Sequence, residues 1–227
     1  MSMQPDALFT DRREAGRQLA QELRPYRRTK PVVFGLPRGG VPVAYEVATA
    51  LNAPLGVLVV KKVGAPLQPE FGVGAVAPGV TVRSDAAIEE VGLSEADFKQ
   101  AAARARQTVQ ERHRRYNGDD DLPALEGHTA ILVDDGLATG VSAKAAIRAA
   151  RHLAPEQLVL AVPVGAVQSL AELQDDVDEL VCLHALRTFG AVGQWYEHFE
   201  QTTEEEVIEL LEEANRTVTS EDLREPG

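Results

Sequence analysis

One cysteine, five lysines and eleven aromatic residues are all that this 227-residue chain holds of those types. The lone Cys182 excludes an intrachain disulfide and a cysteine-based zinc site, and it fits a reducing, cytoplasmic setting. No stretch approaches the roughly 18 consecutive apolar residues of a spanning helix, so no membrane is expected. The opening MSMQPDALFTDRREAG lacks the apolar segment of a secretory signal. Positive charge is short as well: 23 Lys and Arg stand against 35 Asp and Glu, a net of -12. That balance argues against the broad basic surface that nucleic acid needs. It does not exclude a small phosphate site, which needs only local donors. The five histidines fall at no metal-ligand spacing, and there is no G-x-S-x-G.

The 44% hydrophobic content is enough for a core without covalent staples. The acidic excess sits at the C-terminus, where residues 195–227 hold eleven acidic and two basic residues. Short apolar runs at 30–35, 55–62, 129–135, 157–164 and 177–184 read as buried strands. Helical patterns cover 7–23, 40–51, 140–153, 167–174 and 203–214, and a long polar helix follows Ser94, a good N-cap, to about Arg115. Residues 63–80 are rich in Gly, Pro and Ala and read as a long loop with room for a hairpin, with Glu70 its only charge over 64–79. NGDDD at 117–121 is a turn cluster.

Strands apolar throughout and alternating with helices predict a doubly wound α/β fold, with a mostly parallel five-stranded sheet covered on both faces. One domain over 1–200 is expected, with a helical insertion at about 84–127, then an acidic helix and tail over 201–227. In such sheets ligands bind beyond the carboxyl ends of the strands.

One strand end is rich in chemistry. In Val133-Asp134-Asp135-Gly136-Leu137-Ala138-Thr139-Gly140-Val141-Ser142, two carboxylates end a buried strand and a small-residue turn leads into a helix. The small residues let backbone N–H groups approach a ligand, and the helix terminus, Thr139 and Ser142 add donors. The carboxylates can accept hydrogen bonds from sugar hydroxyls or hold magnesium through water. A phosphate cradle beside hydroxyl acceptors describes a phosphorylated ribose. A receiver domain also places paired aspartates at a strand end, but it wants a lysine at a later strand end, and none follows Lys144.

VDDGLATGVS resembles the signature with which type I phosphoribosyltransferases bind phosphoribosyl pyrophosphate (PRPP). The resemblance covers roughly residues 30–200 and implies that fold with a small hood, built near the N-terminus and at 186–200. It gives Gly136, Leu137, Ala138, Thr139, Gly140 and Ser142 the 5′-phosphate, and Asp134 and Asp135 the ribose and water-bound magnesium. Phe34-Gly35-Leu36-Pro37-Arg38-Gly39-Gly40 is similar to the family's diphosphate loop, in which Arg38, Gly39 and Gly40 would hold the leaving group. That loop often carries a cis non-proline peptide, here at Pro37–Arg38 or Arg38–Gly39. On the residues alone, it equally reads as a plain glycine turn.

Lys61 and Lys62 stand where the family has a basic pair before a closing loop, here 64–79. Two lysines snorkelling at a sheet edge would look the same. In the segment 186–199, Phe189, Val192 and Trp195 match loosely the residues that stack on and read a base, and Glu197 falls where an acidic metal-site residue would. Four of the eleven aromatics lie there, which equally suits a small hydrophobic lid or a dimer contact.

The implied function is magnesium-dependent transfer of phosphoribose from PRPP to a nitrogenous base, with purines among the candidates, by a homodimer. Arg38, Lys61, Lys62, Asp134 and Asp135 would carry the chemistry. The alternative is a PRPP- or nucleotide-sensing protein on the same fold without transferase activity. A hydrolase of related sugar phosphates is a third reading.

Overall fold

The computed structural model describes residues 7–66, 68–118, 122 and 124–222, with the side chains of Glu70 and 217–222 left aside. Among the described residues the strands are β1 (Pro31–Gly35), β2 (Leu55–Val57), β3 (Lys61–Ala65), β4 (Gln68–Ala77), β5 (Val80–Arg83), β6 (Thr129–Val133), β7 (Gln157–Ala166) and β8 (Glu179–Leu186). The helices are α1 (Arg12–Glu22), α2 (Gly40–Leu51), α3 (Asp85–Glu90), α4 (Glu95–Asn117), α5 (Val141–His152), α6 (Val167–Leu173) and α7 (Glu204–Asp222).

Five strands form one sheet in the order β2-β1-β6-β7-β8, every neighbouring pair parallel. Because side chains alternate along a strand, odd and even residues sort to opposite faces. Val33, Ile131, Val133, Val159 and Ala161 join the cluster that buries α2, α4 and α7 together with Leu19 and Ala20 of α1. Phe34, Ala130, Leu132, Leu158, Leu160 and Val162 join the cluster under α5 and α6. Both faces of β1, β6 and β7 are buried, which is why these strands read as unbroken apolar runs, whereas the edge strand β8 is only half-buried. The doubly wound, five-stranded sheet expected from the sequence is what the chain forms.

Two local expectations are corrected. Residues 55–62 are not one strand: β2 stops at Val57, and β3 begins at Lys61 in a different sheet. Lys61 and Lys62 are exposed, and a strand buried on both faces has no place for two successive ammonium groups. Residues 63–80 are not a long loop; the hairpin allowed for there is formed by β3 and β4, and β5 extends it to a three-stranded antiparallel sheet. Its pairing slips at Gly64, where Cβ would lie 2.1 Å from the Pro69 carbonyl oxygen. Val63, Val73 and Val76 are buried with Phe98 and Ala102 of α4. Burial there overrides the local glycine and proline content.

Ser94 does cap α4, its hydroxyl accepting from the Asp97 N–H at 3.2 Å. The end of the 117–121 turn, the Glu70 side chain and the last five residues of the tail lie outside the described residues. Among those described, no helix is long and apolar enough to cross a membrane.

Candidate active site

Two of the loops singled out in the sequence meet where the sheet reverses its order. From β1 the chain moves to β2 on one side, while β6 lies on the other. The carboxyl ends of β1 and β6 therefore flank a switch-point crevice, the place where open α/β sheets bind ligands. Gly35 pairs with Val133, and the Leu36 N–H donates to the Val133 carbonyl at 2.8 Å.

The loops that follow are in contact. A Cβ on Gly39 would lie 2.0 Å from Asp135 Oδ2, and one on Gly40 would lie 2.7 Å from the Val133 carbonyl oxygen. A Cβ at Gly40 would run into backbone, and one at Gly39 would displace the Asp135 carboxylate. The Pro37–Arg38 peptide is cis, the first of the two candidate bonds. Arg38 is half-buried in this loop.

The loop 136–142 is held from below. The Leu137 N–H donates to the Val164 carbonyl and the Ala166 N–H to the Leu137 carbonyl, both at 2.9 Å, so the loop extends the β6–β7 ladder. Ser169 Oγ donates to the Ala138 carbonyl at 2.6 Å. Gly140, at φ 72°, turns the chain into α5 in the left-handed region that favours glycine.

Side chains cap α1, α3 and α4 through Asp11, Ser84 and Ser94. Among the described residues, α2 and α5, which start in these two loops, have no side-chain cap. First-turn N–H groups without a capping side chain, and the positive end of the helix dipole, suit an anion. A cavity of about 210 Å3 opens beside Thr139 and Gly140, with Arg83, Lys144 and Arg148 in its walls.

The carboxylates differ in their ties. Asp134 Oδ1 accepts from the Asp135 N–H at 2.9 Å. Burial, then the neighbouring Asp135 charge, push the Asp134 carboxyl well above its ordinary range. Burial also raises that of Asp135, while the Arg12 guanidinium pulls it back. Arg12 Nε donates to Asp135 Oδ2 at 2.9 Å. Its Nη1 donates to the Glu200 carbonyl at 2.7 Å, and its guanidinium lies 3.8 Å from the centre of the Phe199 ring.

The hydroxyl of Tyr196 donates to the Asp135 backbone carbonyl at 2.6 Å. Tyr196 and Phe9 form a parallel bridge, the Leu8 N–H donating to the Trp195 carbonyl and the Glu197 N–H to that of Phe9, each at 2.9 Å. Residues 8–12 and the segment 195–200 thus meet beside Asp135. Tyr196 and Phe199 belong to the aromatic group of 186–199 noted in the sequence, whereas Arg12 stands in no motif. Arg12 lies 123 positions from Asp135, and no local pattern links them.

The remaining candidates spread out. Val192 packs on the start of the cradle: a Cβ on Gly136 would lie 2.6 Å from Val192 Cγ1. Phe189 is half-buried, its ring 6.0 Å from that of Trp195. Trp195 is only 7% exposed, in a cluster with Phe9, Val164 and Tyr196. Glu197 is exposed, and among the described residues no three His, Cys, Asp or Glu side chains group as metal ligands. Lys61 and Lys62 line an open groove of about 530 Å3 with Arg104 and Asp97 of α4.

Comparison with known proteins places this geometry. A Mycobacterium tuberculosis (strain H37Rv) protein, named provisionally a phosphoribosyl transferase, is 45% identical over 210 residues, 92% of this chain. This chain spans 47% of that relative's length. The crystal structure of TT1426 from Thermus thermophilus is 41% identical, covers 90% of this chain and 98% of its own, and superposes with a TM-score of 0.76. The profile of the phosphoribosyl transferase domain matches residues 9–198, and the chain belongs to that family.

Proposed function

We propose that this chain transfers the 5-phosphoribosyl group of PRPP to a nitrogenous base. The observation that carries the reading is the contact of Gly39 with Asp135, which joins two anion-suited helix starts and two carboxylates in one crevice. In the reaction the anomeric C–O bond to diphosphate breaks, and a bond to the base nitrogen forms. The base's displaced proton leaves to water. No protein nucleophile is needed; the demand is for charge neutralisation and orientation.

In this reading N–H groups of 138–142 and the Thr139 and Ser142 hydroxyls hold the 5′-phosphate. Asp134 and Asp135 accept from the ribose hydroxyls. Arg38 and the N–H groups of Gly39 and Gly40 receive the diphosphate, with Lys61 or Lys62 as a further source of positive charge. The donor set fits magnesium carried in on the diphosphate and held through water by Asp134 or Asp135, not a closed cage of protein ligands. When bound, the ion would offset charge on the leaving group. Val192, packed on Gly136, and Phe189 are the candidates for meeting the base. A homodimer in the cytoplasm belongs to the same reading.

A thermal unfolding curve with and without magnesium and PRPP tests it without a guess about the base. Ligand at about 100 times its dissociation constant adds about 2.7 kcal/mol to the folded state. A PRPP-dependent rise supports the site, and no shift at millimolar PRPP overturns it. The burial of Trp195 favours one second reading, a PRPP sensor with no open face for a base. Diphosphate release across a set of bases separates the two.

A further inference from the structure

Arg12 touches three parts of the crevice at once. Its Nε engages Asp135 Oδ2, and its Nη1 engages the Glu200 carbonyl of the segment 195–200. Its face lies on Phe199, and the Gly39 backbone stands so close that a Cβ there would be 3.2 Å from Arg12 Nε. The side chain is only 12% exposed. A planar fork with a stacking face meets all of these demands together; an ammonium would meet only one or two.

We propose that Arg12 is a positioning residue for the sugar, acting through Asp135, an inference that rests on the PRPP reading above. Arg12 occupies one carboxylate oxygen and fixes the rotation of the group. With Oδ2 held by Arg12, Asp135 Oδ1 is the atom this reading offers to a ribose hydroxyl. A gate that swings aside would carry few ties. Arg12 is mostly covered and held by a carboxylate, a carbonyl and a ring, and so it stays in place when sugar binds. It also couples the segment 195–200 to the crevice floor, since Asp135 receives Tyr196 at its carbonyl as well.

The test is calorimetric binding of PRPP, and separately of inorganic phosphate, to the full chain. The variants are Arg12→Gln, Arg12→Lys, Asp135→Asn and the double Arg12→Gln/Asp135→Asn. Arg12→Gln is expected to weaken PRPP by about tenfold or more, the scale of a lost charge-assisted hydrogen bond, and to leave phosphate affinity unchanged. Arg12→Lys, which keeps the charge should the glutamine variant not fold, is expected to fall between Arg12→Gln and wild type. The double variant should be no weaker than Asp135→Asn.

Wild-type PRPP affinity in Arg12→Lys or Arg12→Gln overturns the proposal, as do tighter binding, parallel losses for PRPP and phosphate, or losses that multiply in the double variant. A wild-type chain without PRPP affinity, or an Asp135→Asn chain that binds normally, overturns the PRPP reading itself and this inference with it.

Discussion

Asn117 and Asn215, on different helices, clasp alternate residues of the same edge strand. Asn117 Oδ1 accepts from the Val57 N–H at 3.2 Å, and its Nδ2 donates to the Val57 carbonyl at 2.9 Å. Asn215 repeats the pattern on Leu55, at 3.1 and 2.9 Å. Each carboxamide stands in for the next strand of the sheet, which blunts an edge otherwise open to pairing with another chain. Replacing either asparagine by alanine should cost about 1–3 kcal/mol through the buried backbone groups it leaves unpaired. A urea unfolding midpoint reads this loss, and light scattering on the double variant should show self-association that neither single variant shows.

Gly39→Ala should weaken PRPP binding while the fold survives. The backbone there, at φ -61°, accepts any residue, so the harm comes from the methyl group set 2.0 Å from Asp135 Oδ2. The carboxylate must leave its place against Arg12. PRPP affinity is expected to fall by at least about tenfold, with an unchanged far-ultraviolet circular dichroism spectrum. Normal affinity would mean that the two loops do not act together.

Arg38 separates the two ends of the substrate. If it forks onto diphosphate, Arg38→Ala should weaken PRPP by about ten- to a hundredfold and hardly touch ribose 5-phosphate, which lacks that group. Equal losses for both ligands would move Arg38 from the diphosphate to the fold.

Cys182 should be sluggish as a nucleophile. Burial pushes its thiol from the ordinary 9.0 up to about 11. At pH 8 the native thiol should alkylate about a hundredfold more slowly than the unfolded one, from ionisation alone. The same shift has a sign for stability. The folded thiol keeps its proton to higher pH, so unfolding releases a proton between about 9 and 11, and the folded state loses stability as pH rises through that interval. A Cys182→Ala chain should lack this component of the alkaline decline.

The legible parts were those decided by short-range chemistry. Five apolar runs, each with a helix or a glycine turn after it, can bury their faces in few ways, and a doubly wound parallel sheet is the one they took. The two aspartates with Gly136, Ala138 and Gly140 mark the turn from β6 into α5 through their own polarity and size. Ser94 announces the start of α4 because a cap is a local hydrogen bond.

The sequence by itself thus determined the sheet, its helices and the VDDGLATGVS loop. Tertiary structure alone decided what that loop touches. The break between β2 and β3, against the expected single strand at 55–62, follows from where burial on both faces ends, and hydropathy alone does not mark that point. The small sheet over 61–83 exists because α4 covers it. Arg12 reaches Asp135, and Asn215 reaches Leu55, across more than a hundred residues of chain. Such contacts depend on how helices dock on a finished sheet, and a linear pattern of residues carries no record of that geometry.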